Sequence, residues 1–190
     1  MKAKYFKFKK SACGLAATLG FTLFSQMAVP LQAQVTGTWN VNANGNWSAG
    51  GSWSGGTIPN GAGHIANFTN NISGTRTVTI DAGLAGTTAT VGILNFGDSD
   101  GTNSFTISGG TLVFDNSGAN AQINMGLNGN NNTIASAMLL NSPLDITISD
   151  ASNNQGMILS GVISGGASIL PNTTAITIND PSANDSLGWV

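Results

Sequence analysis

The sequence predicts an all-β protein, a right-handed parallel β-solenoid with an N-terminal aromatic cap; an antiparallel β-sandwich is the competing architecture. Three observations lead there. Apolar residues alternate with mostly Thr, Ser and Asn at a period of two, at Val78/Ile80, Phe105/Ile107, Leu112/Phe114, Ile123/Met125, Ile146/Ile148 and Ile176/Ile178. That is the strand signature. Clusters of Gly, Asn, Asp and Ser separate the runs, at 98–103, 116–118, 128–132 and 153–156, and Gly and Asn tolerate the left-handed backbone of sharp corners. Charged residues make up only 7% of the 190 positions, far below the roughly one quarter of an ordinary soluble domain. In a parallel stack, like residues lie one above another at about 4.8 Å. A column of Lys or Glu at that spacing repels itself, whereas Asn, Thr and Ser bond along the column. The scarcity of charge therefore favours the solenoid over the sandwich.

Along the chain, residues 1–33 read as a secretory signal peptide. Five lysines lie in the first ten positions, an apolar stretch covers 12–24, and Pro30 and small or polar residues lead to Ala33. The apolar run of about 13 residues is short of the roughly 20 needed to span a bilayer. Cleavage is placed after Ala33, with Leu31 an unusual −3 residue. Cys13 precedes the apolar run and leaves with the signal. Residues 34–72 form a Trp/Gly/Asn-rich cap region, 73–180 the solenoid rungs, and 181–190 a C-terminal tail. No segment sustains a helical period; residues 134–140 are expected as strand because a strand-like stretch follows at Leu144–Ile148. The spacing gives a rung length: Ile80 to Ile107 is 107 − 80 = 27 residues, and Ile107 to Ile148 is 148 − 107 = 41, or two rungs of about 20.

Composition also bounds function. The chain from residue 34 has one cation, Arg76, against eight Asp, which gives 1 − 8 = −7 where the whole sequence has −2. There is no basic patch for nucleic acid beyond the extreme N-terminus. One His, one Cys in the signal and no Glu leave few groups for acid–base or nucleophilic chemistry. No cofactor and no metal site are expected, and no membrane span in the mature chain.

A run of words then carries a resemblance. It comprises Trp39, Asn46-Trp-Ser48, Ser52-Trp-Ser-Gly-Gly-Thr-Ile-Pro59-Asn-Gly-Ala-Gly63 and Ala66-Asn-Phe68, followed by Thr77-Val-Thr-Ile-Asp81, Val91-Gly-Ile-Leu-Asn-Phe96, Phe105-Thr-Ile-Ser-Gly-Gly-Thr-Leu112 and Leu159-Ser-Gly-Val-Ile-Ser-Gly-Gly166. Over roughly 38–166 the chain resembles the N-terminal part of secreted proteins with autotransporter-associated β-strand repeats, from bacteria with two membranes. The resemblance implies a passenger-like β-helix exported to the cell surface or medium, without enzymatic activity. The chain departs from that pattern after residue 166, in lacking a C-terminal barrel or sorting tail, and at His64, where such proteins often carry an acid. It reads as a fragment, a truncated product or a short stand-alone member.

Each candidate site has a bland counterpart. Trp39, Trp47 and Trp53 either stack on sugar rings or cover the open first rung. Asp98-x-Asp100-Gly101-x-Asn103 resembles part of a calcium loop, but no downstream Glu closes it; a rung turn is the simpler reading. His64 stands alone and reads as a structural or surface residue. Arg76 is expected to pair with Asp81 or another Asp near the first rungs. Asp145/Asp150 and Asp180/Asp185 are each five apart, off a common strand face. The expectation is a secreted or cell-surface structural and interaction protein, with a surface polysaccharide or other cell-surface component as partner. The alternatives are a carbohydrate-binding module using the three Trp, and, less favoured, a polysaccharide-degrading β-helix enzyme.

Overall fold

Short alternating runs bounded by Gly and Asn make strands that end at a corner after two to five residues. The computed structural model describes residues 33–126, 130–149 and 156–165, with the backbone of two further strands at 176–179 and 188–189. These belong to one compact unit, Gln32–Val190; the expected signal peptide, apart from Ala33, lies outside the described residues.

Three parallel sheets run side by side. The first stacks β1 (Thr36–Thr38), β3 (Ile65–Phe68), β6 (Ile93–Phe96), β9 (Ala121–Met125), β12 (Leu144–Ile148) and β15 (Ile176–Asn179). The second stacks β2 (Gly45–Asn46), β4 (Arg76–Ile80), β7 (Phe105–Gly109), β10 (Asn132–Ile134), β13 (Met157–Leu159) and β16 (Gly188–Trp189). The third holds β5 (Thr88–Val91), β8 (Thr111–Phe114), β11 (Ala137–Leu140) and β14 (Ile163–Gly165). The chain visits the sheets in rotation, so β3–β5, β6–β8, β9–β11 and β12–β14 are four complete turns. The ladders between these strands are parallel. This is the β-solenoid, and it sets the antiparallel sandwich aside. Helix among the described residues is confined to three-residue 3-10 segments such as Gly50–Ser52 and Ala85–Thr87.

The expected rung of about 20 residues is corrected. Val78 stacks on Ile107, 107 − 78 = 29 residues later, and Ile107 on Ile134, 134 − 107 = 27 later. Ile148 belongs to the first sheet, over Met125, and so never stacks on Ile107. A turn needs three strands and three corners, and only corner length varies. Residues 134–140 form the end of β10, a corner at Ala135–Ser136, and β11. The expected boundary at residue 72 falls inside the first full turn, between β3 and β4.

Inward residues stack in columns: Ala66–Leu94–Ile123–Ile146, Phe68–Phe96–Met125–Ile148, Val78–Ile107–Ile134–Leu159 and Ala89–Leu112–Met138–Ile163. Most are completely buried, and their burial supplies the main driving force for stacking.

The corners share a device. Two successive N–H groups converge on one carbonyl of the turn before: Gly92 and Ile93 on His64 O (2.8 and 3.1 Å), Ala135 and Ser136 on Ile107 O (2.8 and 3.2 Å), Asn141 and Ser142 on Phe114 O (2.9 and 3.1 Å), and Ser160 and Gly161 on Ile134 O (3.0 and 3.3 Å). Gly92 is required at its corner, because a Cβ there would run into the Asn116 side chain and the Gly63 backbone.

Candidate functional site

The N-terminal turn concentrates the sequence-predicted site residues. β1 and β2 bring Trp39 and Trp47 inward, and a bridge between Trp39 and Trp53 places the third indole beside them. Trp39 and Trp53 meet edge to face at 5.3 Å, Trp47 and Trp53 at 5.3 Å, and Trp47 and Trp53 each reach Phe68 at 5.5 Å. Phe68 stacks on Phe96 at 5.7 Å, carrying the cluster into the core. The Trp47 indole donates to Pro59 O (3.0 Å) and the Trp53 indole to Trp47 O (2.7 Å). All three indoles are 0–1% exposed. The reading of Trp39, Trp47 and Trp53 as sugar-stacking platforms is therefore corrected: their faces are covered by one another and by Phe68. They fill the end of the solenoid.

A strap, Thr57–Gly61, completes this end. A Cβ on Gly37 would strike Pro59 and Thr57 O, so the strap lies directly against β1. Gly61 N donates to Thr90 O (2.8 Å) and Thr90 N to Asn60 Oδ1 (2.8 Å), so the strap also closes the free edge of β5. Asn44 extends the pairing of β4 just beyond β2, its Oδ1 accepting from Thr77 N at 2.9 Å. Asn side chains thus stand in for missing backbone, which leaves fewer edge groups open to chance pairing.

His64 is 5% exposed. Its Nδ1 accepts from Asn60 N at 3.1 Å, so the ring proton sits on Nε2, which is buried without a partner. Such a group costs about 1–3 kcal/mol. Burial holds the imidazole below its usual pKa.

Arg76 donates to Asn42 Oδ1 (2.8 Å) and Ser73 Oγ (3.3 Å). Asp81, its expected partner, is taken instead by Ser48 Oγ (2.8 Å), Ser48 N (3.2 Å) and Gly83 N (3.0 Å). Desolvation pushes the Asp81 carboxyl up, and these hydrogen bonds outweigh it, so it lies below the usual value. Asp98 is 2% exposed, and both its oxygens accept backbone N–H, from Ile72 (3.2 Å) and Asn103 (2.9 Å). It ties the turn between β6 and β7 to the turn before. Asp100 accepts from the hydroxyl and N–H of Thr102, which lower its pKa. Among the described residues no group of three or more His, Cys, Asp or Glu is arranged to hold a metal ion. Asp145 accepts from Asn120 Nδ2 at 3.0 Å; Asp150, Asp180 and Asp185 lie outside the described residues.

Sequence reasoning missed one feature of the outer face. Asn124 donates to Asn95 (2.9 Å), Asn95 to Asn67 (2.7 Å) and Asn67 to Thr38 Oγ1 (3.2 Å), at chain separations of 29, 28 and 29. The signal was present: Ala66-Asn67-Phe68, Leu94-Asn95-Phe96 and Ile123-Asn124-Met125 place Asn between two inward residues at that spacing. On the second sheet, Thr77, Thr106 and Thr133 form a hydroxyl column beside Thr79 and Ser108. No family model, curated protein or solved structure matches this chain.

Proposed function

We propose that this chain is a secreted or cell-surface structural and interaction β-solenoid of the autotransporter passenger-like type, without catalytic activity. The observation that carries this reading is the parallel stack closed at its N-terminal end by the three indoles and the strap, directly after a sequence with the layout of an export signal. Two further points support it. The described ionisable side chains that are most constrained serve the scaffold: Asp81, Asp98 and His64 each bind backbone. The outer columns of Asn and Thr present neutral polar groups at strand spacing, which suits display toward polymers of the cell surface.

The test is export of the full chain in a bacterium with two membranes. The expected product lacks residues 1–33, begins at Gln34 by mass spectrometry, and is found outside the inner membrane. An uncleaved chain retained in the cytoplasm overturns the reading.

A further inference from the structure

We propose that His64 is a pH-sensitive latch on the N-terminal cap: neutral, it holds the Thr57–Gly61 strap against β5, and protonation releases the strap. The proposal concerns the fold and stands whether or not the chain is displayed at a cell surface.

The geometry couples one ring nitrogen to the whole strap. Nδ1 accepts from Asn60 N at 3.1 Å, and the ring lies on Gly61, where a Cβ would sit 2.7 Å from Nε2. Asn60 and Gly61 in turn hold Thr90 of β5 through two bonds of 2.8 Å. One residue earlier, Pro59 O receives the Trp47 indole at 3.0 Å. The segment that His64 positions therefore closes a strand edge on one side and anchors the aromatic plug on the other.

Protonation reverses each part. It puts a hydrogen on Nδ1, so that donor faces donor at Asn60 N. It also places a positive charge where Nε2 is already buried without a partner. The surrounding groups offer no compensation among the described residues. Gly92 and Ile93 reach His64 only through its carbonyl. Gln34 Nε2 is spent on Gly63 O (3.0 Å). Asp115, on the neighbouring turn, gives its carbonyl to Gly63 N (2.8 Å) and turns its carboxylate to Ser117 N (3.0 Å). Arg76 is held at Asn42 and Ser73. Burial lowers the pKa of His64, so release falls below pH 6.5, the usual value. The carboxylates of Asp81 and Asp100 titrate in a lower window, at and below their usual value of about 3.8.

The chain has a single His, so the imidazole C2–H resonance of the full wild-type chain reads the titration directly. The expected midpoint lies below 6.5, and the protection factors of the Gly61 and Thr90 amides, with the pH dependence of intrinsic exchange divided out, fall by up to ~10-fold per pH unit between pH 6.5 and that midpoint. Tryptophan fluorescence shifts to the red over the same range. His64→Gln keeps a hydrogen-bond acceptor that does not titrate, and its Gly61 and Thr90 amides stay protected at the same pH. A midpoint at or above 6.5, continued protection of both amides through the titration, the same loss in His64→Gln, or unfolding of the whole chain over this range overturns the latch. If His64→Gln fails to fold, the wild-type resonance and exchange measurements decide alone.

Discussion

Asp81 illustrates what a carboxylate does in a chain with so little charge. It spends its oxygens on Ser48 and Gly83, which ties the end of β4 to the turn below. Its folded pKa is depressed, so the unfolded chain binds the proton more readily. That contribution to stability is present above the unfolded pKa of about 3.8 and is lost as pH falls through it toward the folded value. Asp81→Asn should therefore flatten the acid limb of Tm against pH below about pH 4 and leave the slope near pH 6 unchanged. Thermal unfolding at a series of pH values checks this; an acid limb as steep as wild type's would show that the Ser48 tie adds nothing. At this scale the sequence was only partly legible. It left His64 as structural or surface, and it marked Asp98 as a turn residue. It paired Arg76 with Asp81 because charge alone was visible, whereas the solenoid brings Ser48 within reach of one and Asn42 of the other.

At the level of elements, the apolar alternation read from the sequence falls on β4, β7, β8, β9, β12 and β15. β1 and β2 escaped notice for a physical reason. Thr36-Gly37-Thr38 and Gly45-Asn46 carry no apolar alternation, because the interior they line is occupied by the strap and the indoles. Gly45 sits on Trp39: a Cβ would lie 2.9 Å from Cη2, on a rigid ring held at 5.3 Å from Trp53. In ordinary backbone, Gly→Ala stabilises by about 0.4–1 kcal/mol through the unfolded chain. Here the overpacking outweighs that gain, and Gly45→Ala should destabilise by about 1–3 kcal/mol. Gly51, with nothing within 4 Å of its would-be Cβ, is the matched control and should be neutral or slightly stabilised as Ala. Urea midpoints of the two variants make the comparison. A Gly45→Ala midpoint equal to that of Gly51→Ala would mean that the first turn yields to the added methyl group.

Across the whole molecule, stability is a sum of turns and of the contacts between neighbouring turns. Asn95 serves both of its neighbours, donating to Asn67 and accepting from Asn124. Asn95→Ala removes both bonds and should cost about 1–3 kcal/mol, more than Asn67→Ala, whose bond to Thr38 is the longer at 3.2 Å. Equal denaturation midpoints for the two variants would mean that water replaces the ladder without loss. The parallel stack itself was legible from the sequence, since a charge-poor chain rich in Asn and Thr suits columns. The rung length was not. It depended on pairing Ile107 with Ile148, which belong to different sheets, while the informative spacing lay in the Asn positions between them. Those Asn share one further property. Each of the three amides donates toward the first turn, and Asn67 and Asn95 also accept from the turn that follows. Aligned dipoles add and polarise one another. The outer face of the first sheet therefore carries an axial field of its own, positive toward Thr38 and negative toward Asn124. It gives this nearly uncharged surface a polarity along its length, in the way aligned peptide units give one to a helix.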